Sequence, residues 1–180
     1  LLVIVYPGAL VRPQAYEWLA RALATDGYRT VIPEFSFDLA VIDAGRAETL
    51  IERYGQGRRT VLAGHSLGGA MAAQYAADHP GGLAGLVLLA AYSGDSAELS
   101  TSGLPVASLV GEHDEVVNAD ALAAAWQRLP SDTRRVVIAG GVHSFFGRYG
   151  PQVGDGVPTV SRAVAEQQIA ATLRDFLSGL

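Results

Sequence analysis

The 180-residue chain contains no cysteine. That excludes disulfide bridges, cysteine nucleophiles and thiolate-bound metals, and it leaves the redox compartment open. Lysine is missing too: all 13 basic residues are arginine, so Schiff-base chemistry and lysine general bases are excluded. No apolar run approaches the roughly 20 residues that a membrane-spanning helix needs, and no signal peptide is visible. Charge of one sign is scarce as well. The net charge is −5, and the only basic pairs are Arg58-Arg59 and Arg134-Arg135. Each stands just before a predicted strand, which suits a solvated strand start better than a phosphate track, so nucleic acid is not an expected partner.

What is present describes a globular chain. An apolar fraction of 49% over 180 residues predicts one domain, residues 1–180, with one core large enough to need no staples. The first six residues, Leu1-Leu2-Val3-Ile4-Val5-Tyr6, read as a buried strand with no lead-in. We therefore expect a processed or trimmed chain, which leaves localisation open between the cytoplasm and a secreted or envelope site. Nothing in the sequence sets the oligomeric state.

Strand-like apolar runs fall at 1–6, 29–33, 59–64, 84–90, 105–110 and 135–139. Helical periodicity fills the gaps. In the first helix Ala15, Leu19, Ala22 and Leu23 share a face, and Asp26-Gly27 ends it. Further helices are predicted at about 43–54, 67–79, 118–129 and 162–178, with Asn118 or Asp120 capping the fourth. Strands that alternate with helices and are apolar throughout predict a mostly parallel sheet of about six strands, covered on both faces. In such sheets chemistry gathers at the carboxyl ends of the strands.

The most telling segment is Gly64-His65-Ser66-Leu67-Gly68-Gly69, between the apolar run Thr60–Ala63 and a small-residue helix from Ala70. A serine between glycines at a strand-to-helix turn is pushed into the open, because the turn is too tight for flanking side chains. Two other glycine-rich turns are excluded. A dinucleotide turn needs glycine where Ser66 stands, and a P-loop needs lysine. A serine hydroxyl is a weak nucleophile without a base, and the base needs an orienting acceptor. The fifth strand is followed by Gly111-Glu112-His113-Asp114-Glu115, the sixth by Gly140-Gly141-Val142-His143. The order serine, acid, histidine is that of a nucleophile elbow in an α/β sheet. On residue type alone, Glu112 and Glu115 stay open beside Asp114. A metal at Glu112-His113-Asp114-Glu115 is disfavoured, since adjacent residues rarely converge on one ion. His65 is expected to pack beneath the elbow, and His79 to sit at a helix C-terminus.

Together Tyr6-Pro7-Gly8-Ala9, GHSLGG, GEHDEVV and GGVH resemble an α/β-hydrolase of the compact, dienelactone-hydrolase-like kind, along nearly the whole chain. The resemblance implies an α/β-hydrolase fold whose first and third strands are neighbours. It implies Ser66 as nucleophile, Asp114 as acid (three residues after the glycine) and His143 as base. It also implies an oxyanion hole from the backbone N–H groups of Leu67 and Ala9, with Leu10 the near alternative. No cofactor or metal is implied. The first loop departs from the family's frequent His-Gly pair, reading Pro7-Gly8. The connection Ala91–Leu104 is too short for a cap domain, so Tyr92 is expected to line an open entrance. The stretch Ser144–Ser161 is expected to form a flap or pocket wall, with Phe145 among the substrate contacts.

These features predict a serine hydrolase of small carboxylic esters. Lactone or thioester hydrolysis and perhydrolysis use the same groups and stay open as alternatives. A non-catalytic ligand-binding module on the same fold would not need all three groups. A membrane-tethered interaction domain has only the abrupt start in its favour.

Overall fold

The computed structural model describes residues 1–180. Six strands form one sheet: β1 (Leu2–Tyr6), β2 (Arg29–Val31), β3 (Thr60–His65), β4 (Gly85–Leu89), β5 (Val106–Gly111) and β6 (Arg134–Ile138). Their order is β2-β1-β3-β4-β5-β6, and every neighbouring pair is parallel. The helices are α1 (Glu17–Ala24), α2 (Arg46–Tyr54), α3 (Leu67–Asp78), α4 (Ala119–Ala125) and α5 (Arg162–Ser178).

Alternate residues of each central strand point to opposite faces, and both faces are covered. Val3, Val5, Val61, Ala63, Val87 and Leu89 pack with Leu19 and Leu23 of α1 and Ile169 and Leu173 of α5. Leu2, Ile4, Leu62, Leu86 and Leu88 pack with Leu50 of α2 and Ala72, Ala73 and Ala76 of α3. This two-sided burial is why the strands carry no polar alternation. At the outer edge β6 is largely exposed, and Arg134 and Arg135 open this strand rather than precede it. Arg134 pairs with Asp175 of α5, and Arg135 lies over the Trp126 ring. Charged side chains on an edge strand discourage pairing with another sheet.

Helix starts depart from the sequence expectation. Ala15 belongs to a 3-10 turn, Pro13–Tyr16, that precedes α1. A second such turn, Ala40–Asp43, delays α2 until Arg46. Asn118, not Asp120, caps α4, its side chain accepting the Ala121 N–H at 2.8 Å. The predicted fourth helix loses its last residues to another 3-10 turn at Trp126–Arg128.

The chain leaves β1 for α1 on one face and β3 for α3 on the other, so the two adjacent strands diverge at a switch point. A crevice opens there at their carboxyl ends. The β4–β5 connection, residues 90–105, holds no helix or strand, so no cap domain stands over it.

Candidate active site

Ser66 joins β3 to α3 with φ 53° and ψ −125°, a conformation costing on the order of 1–3 kcal/mol for a residue with a side chain. Its neighbours leave no slack. A Cβ on Gly64 would lie 2.3 Å from the Gly68 carbonyl oxygen, and one on Gly68 would lie 2.2 Å from that of Pro7. Those contacts hold the elbow against the loop after β1. Leu67 opens α3, where the first N–H groups have no partner within the helix.

The loops after β5 and β6 meet through glycine. A Cβ on Gly111 would lie 2.7 Å from the Gly141 carbonyl oxygen, and the His113 N–H donates to that same oxygen at 2.9 Å. This contact sets Asp114 against His143: Asp114 Oδ2 lies 2.9 Å from His143 Nδ1, with both side chains at most 2% exposed. Asp114 Oδ1 accepts the N–H groups of Val116 and Val117 at 3.0 and 2.9 Å. The carboxylate is thereby fixed on both oxygens. The other two acids are used elsewhere or not at all: Glu112 accepts the Gly140 N–H at 2.7 Å, and Glu115 is exposed. No three His, Asp or Glu side chains gather as a metal site would require.

Parallel sheet, strained serine elbow and paired Asp114–His143 together describe one architecture. The sequence matches the family model described as "Alpha/beta hydrolase family" over residues 2–168. The chain belongs to the alpha/beta hydrolase family. Its fold is shared by a protein described as a predicted CIB-like hydrolase from Thermoplasma acidophilum (15% identity, 99% of this chain and 86% of that one, TM-score 0.76). It is shared too by Est1E of Butyrivibrio proteoclasticus, solved with ferulic acid bound (12% identity, 98% and 89%, TM-score 0.73). A thioesterase domain from the curacin biosynthetic pathway is similar as well (13% identity, 96% and 90%, TM-score 0.70). At such identities the likeness is one of fold. A search of the curated proteins found no match.

In this alpha/beta hydrolase two clefts of about 250 Å³ each meet at Ser66 and His143. One is mostly apolar, lined by Leu67, Ala70, Ala91, Tyr92, Val116 and Val117. The other is lined by Gly8, Ala9, Leu10, His65, Tyr149 and Gln152. Tyr92 therefore stands beside Ser66. Phe145 does not: it stacks on the Arg162 guanidinium, 4.6 Å from its carbon to the ring centre, and borders neither cleft. Phe146 turns into the core instead and stacks on His65 at 6.0 Å. The Ala9 N–H bonds to no protein group, whereas the Leu10 N–H donates to the Asp38 carbonyl at 2.9 Å. Of the two candidate donors after β1, only Ala9 is free.

The segment 144–161 begins as a 3-10 turn, His143–Phe146, rather than running irregular throughout. Asp155 accepts the N–H groups of His143 and Ser144 at 3.0 and 2.8 Å, and Arg162 donates to the carbonyls of Ser144 and Gly147. The segment is tied down, and its Tyr149 and Gln152 wall the second cleft. Tyr149 belongs to the stretch expected to wall the pocket. Gln152 and the anchoring role of Asp155 are not expected from the sequence, whose only signal there is an aspartate flanked by two glycines.

His65 lies fully buried beneath the site, its ring centre 4.7 Å from that of His143. Burial, and secondarily the His143 imidazole, hold its pKa well below the ordinary histidine value, with the His143 backbone weakly opposing. His65 is therefore neutral at neutral pH. An unfolded chain takes up this proton near pH 6.5, while the folded chain refuses it. Stability from neutral His65 is thus complete above about pH 6.5 and is lost as pH falls towards the lowered folded value. We expect the urea midpoint of wild type to fall more steeply between pH 7 and pH 5 than that of His65→Asn. Parallel profiles would contradict this.

Proposed function

We propose that this protein is a serine hydrolase that cleaves small carboxylic esters through an acyl-enzyme on Ser66. The observation that carries the reading is that His143, held from behind by the buried Asp114, lines the same two clefts as the strained Ser66. Asp114 accepts the Nδ1 proton of His143, which leaves Nε2 unprotonated and able to act as a base. His143 takes the Ser66 proton as Oγ attacks the ester carbonyl. The oxygen that becomes negative lies between the N–H groups of Leu67 and Ala9, each worth roughly 3 kcal/mol in the transition state. His143 then protonates the departing alcohol. Water, deprotonated in its turn by His143, releases the acid.

Cleft size supports a small substrate. The apolar cleft alone, about 250 Å³, is smaller than the roughly 300–1,000 Å³ of sites that enclose a whole drug-sized ligand, which limits the acyl group it can take. The apolar cleft fits a short acyl chain, and the cleft with Tyr149 and Gln152 fits the more polar alcohol. A p-nitrophenyl ester series from acetate to dodecanoate tests this. We expect kcat/KM to be highest from acetate to butyrate and about tenfold or more lower by octanoate. A kcat/KM that rises with chain length would exclude a small acyl site.

A further inference from the structure

The loop after β1 must present one amide, that of Ala9, to the reacting oxygen, and it is held on both sides of that amide. Downstream, the Leu10 N–H is fixed to the Asp38 carbonyl, with both residues at positive φ, 59° and 55°. Upstream, the Gly8 N–H donates to the Tyr16 hydroxyl at 2.8 Å, and that hydroxyl lies 2.8 Å from His65 Nδ1. Both partners are buried, Tyr16 completely. A hydroxyl has one proton to give. With the Gly8 amide donating to it, that proton goes to His65 Nδ1, which satisfies the hydroxyl and the Nδ1 lone pair and leaves the ring's own proton on the buried Nε2, which has no hydrogen-bond partner. Neutral His65 provides the acceptor; a protonated ring would not. Burial also keeps the Tyr16 phenol protonated. The contact leaves no room at position 8, where a Cβ would lie 2.9 Å from His65 Nδ1. His65 directly precedes Ser66, and its ring packs against that of His143. One buried side chain thus touches the elbow strand, the base and, through Tyr16, the loop that carries Ala9.

We propose that Tyr16 and His65 are positioning residues for the oxyanion hole. The Tyr16 hydroxyl, aligned by His65 Nδ1, fixes the Gly8 amide so that the Ala9 N–H faces the oxygen on which charge develops. This rests on the serine-hydrolase reading above. Tyr16 borders neither cleft and the His65 ring, though it edges the second, is almost wholly buried; both act through the peptide between Gly8 and Ala9. The interaction tightens the transition state more than the ground state, so its loss falls on kcat and leaves KM nearly unchanged.

The test is steady-state kinetics with p-nitrophenyl acetate, normalised to sites titrated by a fluorophosphonate, together with the affinity of a small alkyl boronic acid as transition-state mimic. Tyr16→Phe keeps the ring and removes only the hydroxyl. We expect kcat per titrated site to fall by about tenfold or more, KM to stay within about twofold, and boronate affinity to fall in parallel with kcat/KM. His65→Leu should do the same. His65→Asn, which restores an acceptor near the Nδ1 position, should recover most of the loss. A merely structural role would lower the melting temperature and the titrated fraction, with kcat per site and boronate affinity unchanged. That result with either Tyr16→Phe or His65→Leu overturns the proposal. If the wild type is neither labelled nor active, the serine-hydrolase reading fails and takes this one with it. If the wild type is labelled and active while the variants match it, only this one fails.

Discussion

Ser66→Ala should lower ester turnover by about 10³-fold or more while leaving the fold in place. The Ser66 hydroxyl caps no helix N–H and enters no other side-chain hydrogen bond, so its removal orphans no buried partner. The positive φ at the elbow is as costly for alanine as for serine, so the melting curve should barely move. Ser66→Gly would relieve that strain and should be more stable than Ser66→Ala by about 1 kcal/mol. The loss of turnover therefore reports chemistry, not unfolding. On the proposed mechanism some rate above the uncatalysed reaction should survive in Ser66→Ala, because the Leu67 and Ala9 amides would still stabilise an oxyanion formed by direct attack of water. Turnover within tenfold of wild type, with the variant folded, would remove Ser66 as nucleophile.

The second large effect is expected at Asp114. Asp114→Asn is nearly isosteric, and its side-chain oxygen can still accept the Val116 and Val117 N–H groups that now bind Oδ1. The amide nitrogen then faces His143 Nδ1. Because that nitrogen donates, His143 must turn its lone pair towards it and carry its proton on Nε2, facing Ser66. The base is then in the wrong tautomer, and kcat should drop by about 10⁴-fold. Burial makes the effect large, since a carboxylate 2% exposed is not replaced by water. The kinetic loss should far exceed the change in melting temperature. A loss below tenfold would mean that another group orients His143. Of the two neighbouring acids, Glu112 is engaged with the Gly140 amide and Glu115 is exposed.

Much of this architecture is legible in the sequence for physical reasons. The six strands stand out because both faces of the sheet are covered, which makes each run apolar throughout. The elbow is legible because its constraint is local: Gly64 and Gly68 flank Ser66 and contact backbone within one tight turn or the adjoining loop. Asp114 and His143 each follow a strand and a glycine, and the approach of Gly111 to Gly141 explains why. What sequence misses acts at a distance or depends on exact phase. Tyr16 meets His65 across 49 positions, and Asp155 reaches back 12 to the His143 amide. Neither spacing is periodic. Phe145 and Phe146 were separated by the 3-10 turn, in which successive side chains point about 120° apart. Phe146 enters the core and Phe145 faces Arg162, so Phe145 lies away from the clefts it was expected to line.

The proposed chemistry turns on one atom, the Ser66 oxygen, being a nucleophile activated by His143. Its most direct test is covalent: the folded protein is treated with a fluorophosphonate, and the adduct is counted and located by mass spectrometry of intact protein and peptides. We predict one adduct per chain, on Ser66, with loss of ester hydrolysis in proportion to labelling and almost no adduct on His143→Ala. A folded wild-type protein that takes no label, or takes it on another serine at equal rate with or without His143, would contradict the account.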